Sequence, residues 1–382
     1  MKLGILTLPF HTNYGGILQA YALQRKLEEL GCEVCILQRD SPKVDDYGMV
    51  HDLLYRIRFT LGRYLNMPIP RQPNRREIRV QTKEISKFFD LHMPNMSHLL
   101  IDGESLKRYV DEKGFDGIIV GSDQVWRPQY SPDIKNYFLD FCQDKPNFIR
   151  LAYAASFGTD EWEFSEEDTK ECGRLLSLFN AVSVREKSGV SLCRNKFGTE
   201  AVFTQDPTLF FSKEDYMQLV DEPESKGNLF CPILDMSEAK ADLVEEVSKA
   251  TGMIPFRLEA SLPATRKNIM HDSLSCAYPR VTTWLRAFQD SKMVITDSFH
   301  ACIFSIIYHV PFWTVGSKMR GNARFQSLLE AFNLQERQIN LDDYGDIDFN
   351  KPIDWEKVDY KRALFSRESE SFLEQNLFSL CK

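Results

Sequence analysis

The stretch Met293–Ser305, MVITDSFHACIFS, joins a short apolar segment, Met293–Ile295, to a longer one, Ala301–Ile307, with no turn residue between them. This pattern predicts a buried strand that runs directly into a helix. His300 then lies in the first turn of that helix. In an open parallel sheet, ligands bind at the carboxyl ends of the strands, where helix N-termini favour negative charge.

Three polar side chains at this junction have two interpretations. Asp297, Ser298 and His300 lie where an anion and a proton donor could meet. Alternatively, Asp297 or Ser298 caps the helix and His300 is a partly buried packing residue. For one isolated histidine the second interpretation is favoured, so features elsewhere in the chain are needed to distinguish the two interpretations.

The same alternation of strands and helices surrounds this motif. A charged segment, Asp221–Gly227, predicts an interdomain linker. After it, the pattern predicts the strands Asn228–Leu234, Met253–Leu258, Met293–Thr296 and Val310–Val315, and the helices Glu238–Thr251, Val281–Gln289, His300–Tyr308 and Phe325–Phe332.

The N-terminal half has its own alternation. A strand, Lys2–Leu8, is followed by a glycine pair and a helix that stops at Gly31. Further strands are predicted at Val34–Leu37, Phe115–Gly121, Ile149–Ala155, Ala181–Val184 and Ala201–Thr204. The fold class is therefore α/β, with two Rossmann-like domains, 1–221 and 222–382, facing each other across a cleft. A helical tail, 354–380, is expected to return to the first domain.

Between about residues 41 and 113 the strand–helix rhythm stops. Apolar residues recur at helical spacing, and the segment carries many arginines, among them Arg56, Arg63 and Arg75. A basic amphipathic helix can lie on an anionic membrane or contact a lipid-linked substrate. More often such an insertion docks on its domain with its arginines solvated, and this interpretation is favoured.

Composition limits the classes of function. The chain has 382 residues, a net charge of −8, 43% hydrophobic residues and nine cysteines. A general affinity for nucleic acid is not expected. The N-terminus enters a strand without a leader pattern, and no apolar run is long enough to span a membrane, so a cytoplasmic protein is expected. Cys32 and Cys35 lie within a predicted strand and are interpreted as packing residues, and no metal site is predicted.

Polar residues recur after the predicted strands of both domains. We expect them to converge on one site in the cleft. Arg185 could hold a carboxylate or phosphate through its two-pronged donor face, or form a surface ion pair with Glu186. The candidates are Asn13, Tyr14, Gly15, Gly16, Gln19, Ser122, Asp123, Arg185, Asp297, Ser298, Phe299, His300, Lys318, Arg320 and Arg324.

Several motifs together resemble one family, the polysaccharide pyruvyl transferases. They are NYGGILQAYALQRKLEELG, DGIIVGSDQVW, YFLDF, RLAYAASFG, SVREKSG, QDPTL, VTTWLRAF, ITDSFHACIFSI and ARFQSLL. The resemblance implies a two-lobed fold like that of B-type glycosyltransferases. It also implies phosphoenolpyruvate as donor, no separate cofactor, and a hexose of a surface polysaccharide or of its lipid-linked precursor as acceptor, with the enzyme working at the inner face of the membrane in the latter case.

By position, His300 is similar to the family's donor-site histidine, and Arg185 to an arginine that holds the donor. Some members have Arg-Leu before this histidine, whereas this chain has Ser298 and Phe299. Arg320 and Arg324 are the candidates to replace that arginine.

The chemistry of phosphoenolpyruvate fits these residue types. Its carboxylate and phosphate need several cationic or N–H donors, which Arg185, Lys318, Arg320 and Arg324 could supply. His300 suits the roles of acid and base near neutral pH, with Asp297 or Asp123 as base or as the group that orients the imidazole.

Two alternatives remain at this point. One is a glycosyltransferase of similar shape that uses a nucleotide sugar, because a diphosphate would occupy the same helix terminus. The other is a catalytically inactive glycan-assembly protein, which the absent arginine allows.

Overall fold

The computed structural model describes residues 1–41, 73–316 and 321–378. Two parallel sheets form the two halves of the molecule, which confirms the predicted fold class. The N-terminal sheet has the order β2-β1-β3-β4-β5-β6. Its strands are β1 Lys2–Leu6, β2 Glu33–Leu37, β3 Gly117–Val120, β4 Ile149–Ala155, β5 Ala181–Val184 and β6 Val202–Phe203.

The C-terminal sheet has the order β11-β10-β9-β7-β8. Its central strand β9 pairs in parallel with β10 on one side and with β7 on the other. The strands are β7 Leu229–Phe230, β8 Pro255–Phe256, β9 Met293–Thr296, β10 Phe312–Val315 and β11 Gln338–Ile339.

Helices cover both sheets. In the N-terminal half they are α1 Tyr14–Glu29, α2 Arg75–Gln81, α3 Lys83–His92, α4 Gly103–Lys113, α5 Glu166–Leu176, α6 Lys187–Leu192 and α7 Lys213–Met217. In the C-terminal half they are α8 Glu238–Thr251, α9 Arg266–His271, α10 Val281–Asp290, α11 Phe299–Tyr308, α12 Ala323–Phe332 and α13 Trp355–Phe378. Short 3-10 segments occur at Ile134–Phe138, Asp140–Cys142, Pro207–Phe210 and Gln335–Arg337, and a π-helical turn at Cys193–Phe197.

The two strands β7 and β8 are shorter than the sequence pattern predicts. The apolar run after Phe230 contains Pro232, which has no backbone N–H to donate to a neighbouring strand. The predicted strand Met253–Leu258 is reduced to Pro255–Phe256, and proline is tolerated at its first position because β8 is an edge strand. Apolar patterning therefore overestimated strand length where proline interrupts the ladder.

The last helix, α13, lies against the N-terminal half of the molecule. The Arg362 guanidinium donates to the Leu209 carbonyl at 3.3 Å. The Gln205 N–H donates to the Ser369 hydroxyl at 3.1 Å. The Lys361 ammonium of the same helix donates to the Ala331 carbonyl of the C-terminal half at 3.3 Å, so α13 contacts both halves.

The apolar core also crosses between the halves. One cluster contains Ile17 and Leu23 from α1 together with Phe304 and Ile307 from α11. Burial of these side chains is the main stabilising contribution, at roughly 25 cal/mol for each Å² of apolar surface removed from water. The lobes are consequently packed together directly behind the cleft.

The insertion is helical in its described part, which contains α2, α3 and α4. Its predicted amphipathic segment, with Arg56 and Arg63, lies in 42–72 and is outside the described residues. None of the helices in 1–41, 73–316 and 321–378 combines the length and apolar character needed to cross a bilayer.

Candidate active site

Four charged or titratable side chains meet at the carboxyl ends of strands from both sheets. Asp123 follows β3, Arg185 follows β5, Asp206 follows β6, and His300 lies in the first turn of α11 after β9. Because the strands within each sheet are parallel, their carboxyl ends share one edge. His300 from one half lies 3.3 Å from Arg185 of the other half, so the two edges face each other. The predicted convergence of Arg185 and His300 is therefore observed.

Arg185 is the centre of this cluster. One Nη donates to Asp206 Oδ2 at 2.5 Å, and the other donates to Asp123 Oδ1 at 2.9 Å. The guanidinium is almost completely buried. A guanidinium that is taken out of water needs such carboxylate partners, since an unpaired buried charge is very costly.

The His300 imidazole touches this ion-pair network at its Nε2 atom. Nε2 lies 3.3 Å from an Nη of Arg185 and 3.5 Å from Asp206 Oδ2. An unprotonated Nε2 accepts from Arg185, whereas a protonated Nε2 donates towards Asp206. Both protonation states of the ring thus have a partner, as a group that exchanges protons during a reaction requires.

The charges around Arg185 stabilise the ionised carboxylates. Burial opposes ionisation of Asp123, but Arg185, His300 and Arg324 outweigh it and lower the pKa of that carboxyl. Burial also opposes ionisation of Asp206, but the hydrogen bond and charge of His300, with Arg185, hold its pKa well below the usual range. Both aspartates are therefore ionised at neutral pH.

A second arginine reaches the same place from α12. The Phe299 ring lies 4.5 Å from the Arg185 guanidinium carbon and 5.3 Å from that of Arg324, measured to the ring centroid. Burial, followed by the charge of Arg185, lowers the pKa of Arg324 to about 10, so this side chain remains cationic at neutral pH. An anion bound beside Arg324 would relieve the cost of burying this charge.

Glycine at position 15 gives the imidazole its space. A Cβ on Gly15 would lie 2.2 Å from Cγ of His300. Any larger residue here would push the histidine out of the cluster. The glycine pair predicted to open α1 therefore serves close packing between the lobes at this point, and its neighbour Gly16 donates its N–H to the Asn13 Oδ1 cap at 3.1 Å.

Gln19 and Ser122 support Asp123 from behind. The Ser122 N–H donates to Gln19 Oε1 at 3.0 Å, and the Asp123 N–H donates to the Ser122 hydroxyl at 2.7 Å. Asp123 has a positive φ of 72°, which is uncommon for a residue with a side chain. These hydrogen bonds hold that backbone conformation and aim the carboxylate at Arg185.

A cavity of about 320 Å³ opens in front of the cluster, between the lobes. The N-termini of α1 and α11 both reach it, through Asn13 and Ser298, the residues that cap them. Positive helix ends from both lobes therefore face one space. Of the predicted site residues, Asn13, Tyr14, Asp123, Asp297, Ser298, Phe299, His300 and Arg324 line the cavity.

The other predicted residues lie elsewhere. Arg185, Gln19, Ser122, Gly15 and Gly16 are buried behind the cavity lining. Lys318 and Arg320 lie outside the described residues.

Asp297 has different partners from those expected of a base or of a group that orients the imidazole. Its Oδ1 accepts the Leu234 N–H at 2.6 Å, and its Oδ2 accepts the Asp235 N–H at 3.1 Å and the Lys240 ammonium at 2.7 Å. These bonds fix the segment that follows β7 against the end of β9. The carboxylate that contacts His300 belongs to Asp206 instead.

Asp206 is not among the residues predicted for the site, although it belongs to the QDPTL motif, which follows the predicted strand Ala201–Thr204. Asp206 Oδ1 accepts the Thr208 N–H and hydroxyl, as a helix-capping aspartate does. Only its other oxygen faces Arg185, so the capping pattern concealed the second contact.

No group of three or more histidine, cysteine, aspartate or glutamate side chains in the described parts of the chain is arranged to hold a metal ion. The cluster as it stands offers two guanidinium groups, two carboxylates and one imidazole. Such a set can bind a small polyanion and move protons next to it.

The chain belongs to the polysaccharide pyruvyl transferase family, whose model matches residues 13–318. The matched region contains Asn13, Asp123, Arg185, Asp206 and His300. No curated protein sequence matches the chain.

The chain is also similar to several solved structures at low sequence identity. The UDP-GlcNAc 2-epimerase from Neisseria meningitidis bound to UDP-GlcNAc is 8% identical, covers 99% of this chain and 100% of its own, and has a TM-score of 0.49. MnaA of S. aureus in complex with UDP is 11% identical, with 100% and 97% covered and a TM-score of 0.49. The forosaminyltransferase SpnP is 12% identical, with 100% of both chains covered and a TM-score of 0.45.

Proposed function

We propose that the protein transfers the pyruvyl group of phosphoenolpyruvate to two hydroxyls of a hexose, free or lipid-linked, and forms a pyruvate ketal. The observation that carries this proposal is the convergence of His300 with Arg185, Arg324 and two carboxylates at a cavity between the lobes. Membership of the pyruvyl transferase family supports a glycan acceptor.

The donor would bind through its two anionic groups. Arg324 lines the cavity, whereas Arg185 lies behind the lining with both Nη groups bonded to carboxylates. We therefore assign the direct anion contact to Arg324 and the helix N-termini, and assign to Arg185 the positioning of His300. Arg324 thus takes the place of the arginine that some family members have before the histidine.

Ketal formation needs proton transfers that the cluster can perform. A proton adds to the methylene carbon of phosphoenolpyruvate, and C2 becomes an electrophile that the first sugar hydroxyl attacks. The C2–O bond to phosphate then breaks, and the second hydroxyl closes the ketal. One hydroxyl proton ends on the new methyl group and the other leaves with inorganic phosphate, so the reaction balances without an oxidant or a cofactor.

His300 is the proposed acid and base in these steps. Its Nε2 lies 3.5 Å from Asp206 Oδ2 and 3.3 Å from an Nη of Arg185, so this atom has a hydrogen-bond partner both with and without a proton. A positioned acid or base contributes roughly 10²- to 10⁴-fold in rate. His300→Ala should lower phosphate release by that factor without loss of folding.

The test combines binding and turnover. Thermal stability is measured with phosphoenolpyruvate and, separately, with nucleotide sugars. Phosphate release is then measured with phosphoenolpyruvate and a panel of aryl and lipid-linked hexosides, and mass spectrometry detects the pyruvyl product. His309→Ala is the matched control, since His309 ends the same helix and pairs with Asp359 away from the cavity.

Three results would contradict the proposal. Stabilisation by nucleotide sugars and not by phosphoenolpyruvate would indicate a glycosyltransferase. Binding of phosphoenolpyruvate without phosphate release would indicate an inactive assembly protein. Equal rates for His300→Ala and His309→Ala would remove His300 from the mechanism.

Arg324→Ala tests the donor contact separately. Loss of a hydrogen bond to a charged group costs about 1.5–3 kcal/mol, so the KM for phosphoenolpyruvate should rise by more than tenfold. An unchanged KM would exclude Arg324 from the donor site.

A further inference from the structure

The cavity has a second wall that the proposed donor chemistry does not use. It is formed by the C-terminal lobe, where Arg257 and Glu259 follow the edge strand β8 and line the cavity. Tyr278 and Trp284 belong to the same lining. Phosphoenolpyruvate is smaller than a hexose, and a cavity of about 320 Å³ has room for a second molecule beside it.

The two walls differ in the groups that they present to the cavity. The donor side contains Arg324 and His300, beside the N-termini of two helices. On the second wall the Arg257 guanidinium and the Glu259 carboxylate form an ion pair side by side. The donor side thus favours an anion through Arg324 and the helix N-termini, whereas the second wall offers a carboxylate and a guanidinium that are paired with each other.

This pair is held in place and still accessible. The Arg257 Nη2 donates to the Ile233 carbonyl at 3.0 Å, which ties the side chain to the segment after β7. That segment is itself fixed by Asp297 through the Leu234 and Asp235 N–H groups. The Glu259 side chain is 51% exposed. One carboxylate and one guanidinium therefore face the cavity, and the guanidinium is held by a backbone segment that is itself fixed.

A sugar diol requires this combination of groups. Each hydroxyl both donates and accepts a hydrogen bond, so a carboxylate can accept from one hydroxyl while a guanidinium donates to its neighbour. An aromatic side chain adds apolar contact for the C–H face of the ring. A diphosphate fits this wall less well than a diol, because the Glu259 carboxylate already pairs with the Arg257 guanidinium that would bind it.

We infer that the acceptor hexose binds against this second wall, with Arg257 and Glu259 holding its hydroxyls and thereby selecting which pair faces the donor. The inference rests on the proposed function for the identity of the donor. The wall itself is a sugar-binding surface that can be tested without turnover.

The test uses the full-length protein and methyl α- and β-hexopyranosides of gluco, galacto and manno configuration as probes. Saturation-transfer NMR detects their binding to the wild-type protein, to Glu259→Gln and to Arg257→Gln. Glu245→Gln is the matched control, because Glu245 forms an exposed ion pair with Lys249 on α8 outside the cavity. Thermal stabilisation by phosphoenolpyruvate is measured on the same four proteins.

At least one hexoside should bind the wild-type protein and the control equally. Its dissociation constant should rise about tenfold in Glu259→Gln and Arg257→Gln, since each loses a hydrogen bond to a charged group. Stabilisation by phosphoenolpyruvate should be the same in all four proteins.

Several outcomes would overturn the inference. They are the absence of signal from every hexoside with the wild-type protein, unchanged hexoside binding in both variants, or signal from a UDP-hexose but from none of the methyl hexosides. A wild-type protein that binds hexosides through Arg257 and Glu259 and is not stabilised by phosphoenolpyruvate would instead contradict the proposed donor while supporting the sugar-binding wall.

Discussion

Asp206 and Asp297 lie on opposite sides of the cleft, each just after a strand of its own lobe, and both carboxylates are almost completely buried. Their partners differ. Asp206 contacts Arg185 and His300, whereas Asp297 contacts two backbone N–H groups and Lys240. Burial and position after a strand are therefore the same for an aspartate beside a reactive group and for one that anchors a loop. The two roles are distinguished by the hydrogen-bond partners of the carboxylate.

The largest effect on folding is expected at Asp297. In Asp297→Asn the Lys240 ammonium loses its carboxylate inside the protein. Breaking a buried pair by removing one partner costs roughly 3–5 kcal/mol, and we expect a loss of this size in the free energy of unfolding measured by urea denaturation. The exposed Asp242→Asn on the same helix as Lys240 is the control and should stay within about 0.5 kcal/mol. A loss no greater than the control's would show that Asp297 does not anchor the loop.

Asp206→Asn should lower turnover in addition to stability, and it should destabilise the fold less than Asp297→Asn does, because Arg185 keeps Asp123 as a second carboxylate partner. The amide still has an oxygen for Thr208 but no charge for Arg185 and His300. Loss of a charge-assisted contact of about 1.5–3 kcal/mol predicts a fall in kcat of tenfold or more, with little change in the KM for phosphoenolpyruvate. The pH–rate profile should shift as well, because Asp206 faces the imidazole. If kcat falls less in Asp206→Asn than in Asp297→Asn, the contrast between the two aspartates is wrong.

The dependence of stability on acidic pH should reveal the ion pairing of Asp206. The pKa of Asp206 is lowered on folding, mainly by His300 and Arg185 against the effect of burial, so the ionised form stabilises the fold above the ordinary carboxyl value of 3.8. This stabilisation is lost as the pH falls below that value. Thermal unfolding should be followed between about pH 5 and pH 3, where the carboxyl of residue 206 takes up a proton in the unfolded chain but stays ionised in the folded protein. In this range the stability of Asp206→Asn should depend less on pH than that of the wild-type protein. Parallel curves would contradict the assigned pairing.

The smallest effect is expected at a contact between the lobes. The Tyr14 hydroxyl donates to the Pro279 carbonyl at 2.9 Å, and its ring stacks on Trp284 at 5.9 Å. Tyr14→Phe keeps the ring and removes one hydrogen bond, which predicts a loss of about 0.5–1.5 kcal/mol in the free energy of unfolding. Calorimetry measures this loss, with the exposed Tyr360→Phe as the control. Equal unfolding temperatures for the two variants would show that the Tyr14 hydrogen bond does not hold the lobes together.

The amino-acid sequence by itself determined the architecture. The alternation of apolar runs predicted both parallel sheets, and β4, β9 and α8 begin and end where it placed them. Such periodicity is a local property, because it reflects only which side chains face the interior of one element. For the same reason it placed Asp123, Arg185 and His300 correctly at the ends of strands.

Only the tertiary structure decided which of these side chains meet. The pairing of Arg185 with Asp206 depends on how β5 and β6 lie side by side, and the approach of His300 depends on how two lobes dock. The sequence likewise gave no sign that Asp297 would turn to Lys240, or that Arg324 would approach the Phe299 ring. Contacts between residues far apart in the chain are set by the packing of whole elements, and no local pattern records that packing.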